Sequence, residues 1–470
     1  MPPDALSSER SLTLPVKYLV KRPPIFVEPG ATVAQAAATM QNARVGSLLV
    51  SGDPPGIVTD RDLRDRVLSA GLGPETPVGR VMTRPVRSID SDALVFTALH
   101  LMLEENIHHL VLAEEGKIVG VISATDLLHH QAGSPFYLRR ALRDLEDPTA
   151  LAHYSRDITT TVQSLFRGGI GAPQIGQIVS TLNDTLVKRL VRIAEQALGP
   201  PPAPFAWIVF GSEGRFEQTL LTDQDNALIY ESDSAAAESY FTALAKRVVD
   251  GLIEVGFPPC AGGFMATNWC KPLDEWRRLF SGWVRTPKPQ ALLDAAIFFD
   301  FRAVAGALSL APLEEILAAA QTEKLFIAHL AQDALAWRPP LGFFNRLQSD
   351  DGTVDVKKGG IGPIVALARL AALAAGSLER PTLERLAVAG KSAIVFKQQD
   401  STALAEMFQL LLQFRLREQL AALRARRPLD HKVRVEALSA LEQRHLKEAF
   451  VTIRRIQDEV RAGLHLDRIV

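Results

Sequence analysis

The middle of the chain contains the stretch AWIVFGSEGRFEQTLLTDQDNALIY, which occupies residues 206–230. It begins with an apolar run, turns at a Gly-Ser dipeptide and ends in a second apolar run that follows an Asp-x-Asp pair. Short apolar runs bounded by turn residues are typical of buried strands. The stretch therefore predicts, in order, a strand at 207–210, a turn at Gly211 and Ser212, a helix from Glu213 and a strand at 225–230.

Two carboxylates in this stretch have the spacing of a metal site. Asp223 and Asp225 are two positions apart, and residues two apart on a strand project to the same face. The pair can therefore hold divalent ions that stabilise the attacking and leaving oxygens of a phosphoryl displacement, and Mg²⁺ (or Mn²⁺) suits such a site. Asp-x-Asp also occurs in solvated turns and in sugar-transferring enzymes. The Gly-Ser turn upstream favours phosphoryl chemistry, because it lets backbone amides approach a triphosphate.

The pattern resembles that of nucleotidyltransferases of the polymerase-β superfamily, especially relatives of the protein-PII uridylyltransferase and the glutamine-synthetase adenylyltransferase. The residues that match their Gly-Ser-x-x-Arg-x-Glu and Thr/Ser-Asp-x-Asp patterns are Gly211, Ser212, Arg215, Glu217, Thr222, Asp223 and Asp225. The resemblance implies transfer of a nucleoside monophosphate from an NTP to a protein or small-molecule hydroxyl, with release of pyrophosphate. It implies that the first five residues contact the nucleotide, that the two aspartates are catalytic and bind metal, and that an acceptor would be a protein of the PII type.

The superfamily usually needs a third carboxylate from a later strand, and Asp300 is the candidate. It lies in an apolar run at 297–301, and a charge among large apolar side chains should be paired or coordinating. Asp300 is therefore predicted to be a catalytic residue and a metal ligand. A buried arrangement with Arg302 is the alternative, and Asp294 and Asp274 are weaker substitutes.

The first 130 residues contain an internal repeat. Residues 44–50 align with 106–112, and residues 56–63 align with 120–127 after a two-residue slip. Each copy predicts a helix, a strand, a turn and a second strand that runs into a helix. At that junction a hydroxyl residue precedes a carboxylate by three positions, and the residues are Thr59 with Asp62 and Ser123 with Asp126. A helix N-terminus favours phosphate, although an N-cap with an acidic first turn needs no ligand.

The two copies resemble a pair of cystathionine-β-synthase (CBS) domains over residues 14–130. The resemblance implies a regulatory, signal-transducing module that binds an adenine nucleotide between the repeats, with Thr59, Asp62, Ser123 and Asp126 touching phosphate and ribose. It also implies a homodimer formed by stacking of CBS pairs. His108 and His109 are assigned a structural role, because no carboxylate or cysteine cluster accompanies them in the sequence.

The C-terminal half is predicted to be helical and contains one distinctive loop. In TVDVKKGGIGPI, residues 353–364, two lysines precede a Gly-Gly turn that opens a helix, an arrangement that can bind phosphate. It resembles the Asp-x-Lys-x-Gly-x-Gly-Gly-Ile stretch of the same transferases, which implies that Lys357 binds nucleotide and that Asp355 and Gly359 or Gly360 correspond. The relatives usually continue to a glutamate that is missing here, which argues against direct catalysis. A solvated loop is the alternative.

Composition sets further bounds. The chain has 470 residues, 22% of them charged, and 52 Lys+Arg against 53 Asp+Glu. A net charge of −1 disfavours binding to nucleic acid or to a membrane surface. We expect no transmembrane segment and no secretory signal. The two cysteines, Cys260 and Cys270, fit neither a zinc knuckle nor a redox pair, which predicts a cytoplasmic protein with reduced thiols.

The sequence thus predicts a multidomain α+β protein with four parts. They are an α/β CBS pair at 14–130 (repeats about 14–70 and 78–130), a helical connector at 131–200, a polymerase-β-type α/β nucleotidyltransferase core at 201–305 and a helical substrate-binding bundle at 306–470. The predicted function is Mg²⁺-dependent nucleotidyl transfer from ATP or UTP, regulated by an adenine nucleotide. A catalytically silent nucleotide sensor that acts through a partner is one alternative. A tRNA-end nucleotidyltransferase is another, disfavoured by the charge balance.

Overall fold

A computed structural model describes residues 14–128 apart from 21 and 44, residues 154–463 apart from 221, 222 and 288–295, and residues 135, 138, 139 and 142. The chain divides into two compact units. The first comprises Met1–Phe136 with Arg167–Ile170, and the second comprises Tyr137–Phe166 with Gly171–Val470. Over the described ranges, every helix is too short or too polar to cross a membrane.

The first repeat of the N-terminal unit forms a three-stranded sheet in the order β1-β2-β3, with β1 parallel and β3 antiparallel to β2. Its elements are β1 (Phe26–Val27), α1 (Val33–Ala43), β2 (Ser47–Val50), β3 (Gly56–Thr59), α2 (Asp60–Asp62) and a π-helical turn (Leu63–Leu68). Helix α1 places Val33, Ala36 and Met40 on one buried face, because residues three and four apart share a side of a helix. This face belongs to the core of the repeat together with the sheet.

The second repeat has the same order of elements and the same strand pairing. Its elements are β4 (Ser88–Asp90), α3 (Val95–Glu104), β5 (His109–Glu114), β6 (Lys117–Ser123) and α4 (Ala124–Leu128). Ser47 pairs with Thr59 in the first sheet, and His109 pairs with Ser123 in the second. Corresponding residues therefore occupy the same register, as the internal repeat predicts.

The second unit is built around a four-stranded sheet in the order β10-β7-β8-β9. Its strands are β7 (Phe205–Val209), β8 (Asn226–Tyr230), β9 (Cys270–Pro272) and β10 (Arg302–Gly306). Strand β7 is antiparallel to both neighbours, and β8 is parallel to β9. Both central strands are buried at every position, which explains their continuous apolar sequence. The helices of this part are α5 (Tyr154–Arg167), α6 (Ala172–Leu198), α7 (Gly211–Gly214), α8 (Ala235–Glu254) and α9 (Leu273–Arg285).

Three local expectations differ from the structure. The helix predicted from Glu213 is the single turn α7, and Phe216 has a positive φ of 58° just after it. Asp300 ends a 3₁₀ helix, Ala296–Asp300, and does not lie on a strand. Helix α6, predicted as part of a connector, packs against α8 within the second unit.

The remainder of the second unit is mainly helical, as predicted. Its elements are α10 (Ala311–Ala319), α11 (Lys324–Ala336), β11 (Thr353–Asp355), a π-helical turn (Lys357–Ile361), α12 (Gly362–Ala374), α13 (Thr382–Ser392), α14 (Gln398–Arg424), β12 (Lys432–Arg434) and α15 (Ala440–Gly463). Helix α12 is buried from Pro363 to Leu373, so it forms the centre of the bundle. Strands β11 and β12 form an antiparallel pair that the sequence did not predict.

Candidate active site

The Gly-Ser turn follows the buried strand β7 directly. Gly211 has φ +60°, and a Cβ built on it would lie 2.7 Å from Oδ2 of Asp225. The backbone N–H of Phe210 donates to the carbonyl oxygen of Asp225 over 3.1 Å. Glycine is therefore required twice at this position, once by the left-handed backbone and once by the carboxylate beside it.

Asp223 and Asp225 lie together immediately before β8, as their spacing predicts. One carboxylate oxygen of each, together with Sγ of Cys260, lies within 4.8 Å of the others, and these three residues form a group that could hold a metal ion. Asp223 is exposed, Asp225 is half-buried and Cys260 is buried. Their roles as metal ligands and catalytic residues remain predictions.

The negative charge of Asp225 is only partly compensated by the groups around it. Burial and, to a smaller extent, the neighbouring charge of Asp223 raise the pKa of Asp225 to about 7. A hydrogen bond from the Cys260 thiol and the charge of Lys357 act in the opposite direction. Burial and the two carboxylates also raise the pKa of Cys260, so its thiol stays protonated and donates to Asp225.

Lys357 approaches the two aspartates from the C-terminal helical part. Partial loss of hydration and repulsion from Arg415 lower the pKa of its ammonium group, whereas Asp223 and Asp225 favour its charged form. The turn that carries it is fixed by a hydrogen bond of 2.9 Å from the Lys358 backbone N–H to Oδ1 of Asp355. The structure therefore brings Lys357 to the aspartate pair, and nucleotide binding by Lys357 remains a prediction.

The Gly-Gly dipeptide after Lys358 is required by packing, and its approach to phosphate remains a prediction. A Cβ on Gly359 would lie 2.6 Å from Cδ of Pro340, and one on Gly360 would lie 2.5 Å from Cδ1 of Leu411. Both glycines are buried. Their small size lets the π-helical turn lie against α14, which is a structural reason for the pattern.

Arg415 and His431 lie close to Lys357 in the structure, and no sequence motif singled out either residue. Arg415 is 4% exposed, and burial together with the nearby Arg215 lowers its pKa to about 10, although Asp355 and Asp223 oppose this. Burial and the charges of Arg415 and the adjacent lysines lower the pKa of His431 to about 3, so its ring is neutral. Both residues lie far along the chain from Asp223, and no local spacing connects them.

Asp300 is not brought to the metal-site group and instead forms an ion cluster. Its Oδ1 accepts from Arg369 Nε at 3.0 Å and Arg385 Nη1 at 2.7 Å, while its Oδ2 accepts from Arg369 Nη2 at 2.7 Å and Arg215 Nη1 at 2.5 Å. The carboxylate is fully buried. Burial alone would raise its pKa, but the guanidinium groups outweigh burial and hold the pKa far below the ordinary range. This geometry corrects the expectation of a third metal ligand, because both oxygens are already occupied by arginines.

Arg215 and Glu217, predicted to contact nucleotide, belong to the same cluster. Arg215 Nε donates to Glu217 Oε2 over 2.7 Å, and Glu217 Oε1 accepts from the backbone N–H of Thr382 over 2.6 Å. Both side chains are buried. Their contacts tie the segment after β7 to Asp300 and to the start of α13, and nucleotide contact by either residue remains a prediction. Ser212 is half-buried beside Gly211, and Thr222 lies outside the described residues.

Glu213 is a buried acid that the sequence did not single out. Burial and the charge of Asp184 raise its pKa to about 8, although Arg302 acts in the opposite direction. Arg302 forms a bidentate ion pair with Asp184 at 2.6 and 2.9 Å. The alternative pairing of Arg302 with Asp300 is therefore not observed.

The two CBS junctions, Thr59 with Asp62 and Ser123 with Asp126, have nearly the same hydrogen bonds. Asp62 Oδ2 accepts from the backbone N–H of Thr59 at 2.9 Å and from its hydroxyl at 2.8 Å. Asp126 Oδ2 accepts from the N–H of Ser123 at 2.9 Å and from its hydroxyl at 2.6 Å. Each hydroxyl also accepts from the N–H of its aspartate. These are capping boxes, the alternative that needs no ligand, and nucleotide binding here remains a prediction.

The histidine pair links the two repeats, in agreement with its predicted structural role. Arg61 Nη2 lies 3.3 Å from Nε2 of His108. Burial lowers the pKa of His109, while the charges of Asp60, Asp126 and Asp62 oppose this. The start of α2 and the start of β5 therefore lie side by side.

Comparison with family models identifies three kinds of domain. A model described as "CBS domain" matches residues 16–69 and 78–133. A model described as "Putative nucleotidyltransferase DUF294" matches residues 156–290, and "Putative nucleotidyltransferase substrate binding domain" matches residues 324–463. The order along the chain confirms the predicted architecture. The DUF294 match begins within the segment predicted as a connector.

Similar curated proteins support the N-terminal assignment. The CBS domain-containing protein YhcV of Bacillus subtilis is 31% identical over 107 residues, which is 22% of this chain and 76% of that protein. The CBS domain-containing protein CBSCBSPB2 of Arabidopsis thaliana is 35% identical over 118 residues, 24% of this chain and 22% of the plant protein. The chain thus spans about a fifth of that plant relative. It belongs to the CBS-domain-containing proteins.

Two solved structures are similar to about a quarter of the chain. An uncharacterised conserved protein from Pyrococcus horikoshii is 34% identical, with 25% of this chain and 92% of that chain covered and a TM-score of 0.24. A CBS domain protein from Pyrobaculum aerophilum complexed with AMP is 26% identical, with 24% and 90% covered and a TM-score of 0.23.

Proposed function

We propose that the chain is a divalent-metal-dependent nucleotidyltransferase that moves a nucleoside monophosphate from an NTP to a hydroxyl and releases pyrophosphate. The observation that carries this proposal is the convergence of Asp223 and Asp225 beside Gly211, opposite Lys357. The DUF294 match over the same segment supports the reaction type. ATP or UTP as donor, and a PII-type protein or a small molecule as acceptor, belong to the proposal.

The donor set of the site fits Mg²⁺ or Mn²⁺. Asp223 and Asp225 offer carboxylate oxygens, which hard cations prefer. The pKa of Asp225 is raised by burial and by repulsion from Asp223, and a bound cation would offset both effects. These two residues would hold the ion, and Cys260 would act as a hydrogen-bond donor to Asp225. When bound, such an ion supplies neutralisation of phosphate charge.

Protein groups on both sides of the aspartates would orient the triphosphate. Gly211 leaves room beside Asp225 because it has no side chain, and Lys357 would bind the phosphates by charge. In the transfer, the acceptor oxygen bonds to the α-phosphorus and the bond from that phosphorus to the bridging oxygen breaks. The electron pair leaves with pyrophosphate, and the hydroxyl proton is released to solvent. Catalysis of this kind depends mainly on positioning and electrostatics.

Regulation by the CBS pair is the second part of the proposal. An adenine nucleotide between the repeats would meet the two junctions at Thr59 and Ser123, whose helix starts favour phosphate. Ribose hydroxyls would compete with the capping contacts of Asp62 and Asp126. The module would act in a homodimer formed through its CBS domains.

The test is pyrophosphate release with each NTP, Mg²⁺ or Mn²⁺ and a panel of hydroxyl acceptors that includes a PII-type protein. We expect Asp223→Asn and Asp225→Asn each to lower turnover at least 100-fold, because each removes a charge that holds the ion. Asp458→Asn is the control, since Asp458 is exposed and paired with Arg461 at 3.3 Å. Equal activity in wild type and Asp225→Asn would reject the proposal.

A catalytically silent nucleotide sensor is the second candidate, favoured by one observation. Asp300 is occupied by arginines, so the metal-site group among the described residues contains two carboxylates and a thiol. A sensor would bind NTP with Mg²⁺ at the Asp223/Asp225 pair and release no pyrophosphate. Binding that is lost in Asp225→Asn, with no turnover in wild type, would select this candidate.

A further inference from the structure

Lys357 and Arg415 bring positive charge close to the aspartate pair from the C-terminal part of the second unit, and His431 lies close to both of them. Lys357 opens the π-helical turn after β11, Arg415 lies in α14, and His431 precedes β12. The backbone N–H of Val356 donates to the carbonyl oxygen of His431 over 3.1 Å, so the β11–β12 pairing fixes the histidine beside the lysine turn. We call these three residues the nitrogen cluster. The function proposed above uses only its lysine.

Arg415 is the most unusual member of the nitrogen cluster. Its side chain is 96% buried, since its exposure is 4%, and its buried Nε has no hydrogen-bond partner within the described ranges. Asp355 and Asp223 favour its charge from a distance. Burial of an unpaired polar group is costly, and a charged group costs more. A guanidinium without a partner among the described residues is available to bind an anion.

His431 offers a second unsatisfied nitrogen at the same place. Its Nδ1 is buried and has no hydrogen-bond partner among the residues that the structure describes. The ring is neutral, because burial and the charges of Arg415, Lys357 and Lys358 lower its pKa to about 3. A neutral imidazole can donate from Nδ1. The nitrogen cluster therefore presents two cations and a neutral donor, a combination that suits an anion with several oxygens.

We propose that the nitrogen cluster is a polyphosphate-binding site that takes the β- and γ-phosphates of the NTP and, after transfer, the pyrophosphate. The identity of the ligand rests on the proposed function, whereas the preference for an anion follows from the charges of the cluster. Arginine matches phosphate because its N–H groups form a planar fork. An anion would satisfy Nε of Arg415 and Nδ1 of His431 together. The aspartates would then hold the metal side of the nucleotide, and the cluster would hold the leaving group.

Two consequences distinguish this site from general attraction to phosphate. Affinity should rise from nucleoside monophosphate to diphosphate to triphosphate, because the cluster binds the groups beyond the α-phosphate. Pyrophosphate should bind without metal, and it should compete with NTP when metal is present.

The test is calorimetric titration of inorganic pyrophosphate and tripolyphosphate into the full-length protein in the presence of EDTA. The variants are Arg415→Met, Lys357→Met and the control Arg417→Met, which lies two positions along α14 and pairs with Glu442 at 2.5 Å. We expect both cluster variants to weaken pyrophosphate binding roughly 10- to 100-fold and the control to leave it within about twofold. Arg415→Met should fold, because it removes a buried unpaired charge. Lys357 is exposed, so its variant tests the site even if the arginine variant is unstable.

A separate pair of variants distinguishes this inference from the proposed function. Asp223→Asn and Asp225→Asn should bind pyrophosphate as tightly as wild type or more tightly without metal, because they remove negative charge that repels the anion. Wild type could show no turnover while its pyrophosphate affinity still depends on Lys357 and Arg415. That result would reject the proposed transferase function and support the polyphosphate-binding site. Pyrophosphate affinity equal in wild type, Lys357→Met and Arg415→Met would overturn the site whatever the turnover.

Discussion

Asp225 and Asp300 are aspartates of the same unit in opposite environments. Asp225 lies beside another carboxylate, and burial with that repulsion raises its pKa to about 7. Asp300 is surrounded by Arg215, Arg369 and Arg385, which hold its pKa far below the ordinary range despite burial. A carboxylate whose partners are all within the fold serves stability, whereas one that lacks them is available to a ligand. Burial alone would not separate a structural from a functional aspartate here, because both side chains are at least half-buried. The charges around each carboxylate do separate them.

The largest effect should come from Asp300→Asn. The amide keeps the size of the carboxylate but leaves three buried guanidinium groups without their anion. Removing one partner of a buried ion cluster typically costs about 3–5 kcal/mol, so the melting transition of the second unit should fall strongly in calorimetry. Asp274→Asn, at an exposed pair, should change stability by less than about 1 kcal/mol. Equal stability of the two variants would mean that the arginine cluster does not hold the fold together.

The two aspartates should also give pH dependences of opposite sign in metal-free protein. The pKa of Asp225 is raised from 3.8 to about 7, so its contribution to stability is present below about pH 4 and lost as the pH rises to about 7. The pKa of Asp300 is lowered, so its contribution is present above about pH 4 and lost below it. Relative to wild type, Asp225→Asn should therefore gain about 2 kcal/mol between pH 5 and pH 8, a value discounted for partial exposure.

Melting temperatures measured in EDTA across this pH range check the sign. Added Mg²⁺ or Mn²⁺ should stabilise wild type at pH 8, because the ion binds the folded state, and should not stabilise Asp225→Asn. If Asp225→Asn were destabilised at pH 8 without metal, the carboxylate would be compensated within the fold, and the contrast with Asp300 would disappear.

A smaller effect should follow from Gly211→Ala. This variant tests whether the position of the Asp225 carboxylate depends on the missing side chain at Gly211. Gly211 and Gly352 both have positive φ values, 60° and 73°, but an added Cβ at Gly352 meets nothing within 4 Å. Alanine at either position should cost about 1–2 kcal/mol for the backbone alone. Only Gly211→Ala should also weaken Mn²⁺ binding in calorimetry, since its methyl group would press on Asp225. Equal Mn²⁺ affinities in both variants would show that the turn and the carboxylate are independent.

The part of this site that is local in sequence was predictable. Asp223 and Asp225 are two positions apart, and Gly211 precedes them on the same strand–turn–strand stretch, so their proximity follows from the backbone periodicity. The CBS repeat was predictable for the same reason, because two copies of one pattern show which spacing is structural. The order of the domains along the chain also followed from these two stretches.

The non-local part was not predictable. Asp300 lies in an apolar run, and an apolar run does not show whether the partner of a buried charge is a metal ion or an arginine. Its partners Arg215, Arg369 and Arg385 lie 85, 69 and 85 positions away, and helix spacing relates none of them to Asp300. Arg415, His431 and Cys260 reach the site through tertiary packing in the same way. Sequence spacing therefore identified the carboxylates, and only the fold showed that arginines neutralise Asp300 and that, among the described residues, Asp225 has no such ion pair.

The smallest predicted effect concerns the CBS junctions, where the comparison of satisfied and unsatisfied carboxylates applies again. Asp62 and Asp126 accept from the hydroxyl and the backbone of Thr59 and Ser123, so their environment resembles that of Asp300 more than that of Asp225. Thr59→Ala and Ser123→Ala should each lower the stability of the first unit by about 1 kcal/mol through loss of the cap. Thr39→Ala is the control, because the Thr39 hydroxyl only donates to the carbonyl oxygen of Gln35 on an exposed helix face.

The same variants titrated with AMP and ATP separate the two roles of these hydroxyls. If the junctions bind nucleotide, the ligand must displace contacts that already exist, so its affinity for wild type is reduced by the free energy of the capping box. Asp62→Asn would weaken the cap while keeping a side chain that can bond to ribose, and its loss of nucleotide affinity should be smaller than that of Asp62→Ala. Thr59→Ala and Ser123→Ala could lower stability and leave the AMP affinity unchanged. That result would show that both hydroxyls serve only as helix caps, and that a nucleotide would have to contact other groups of the CBS pair.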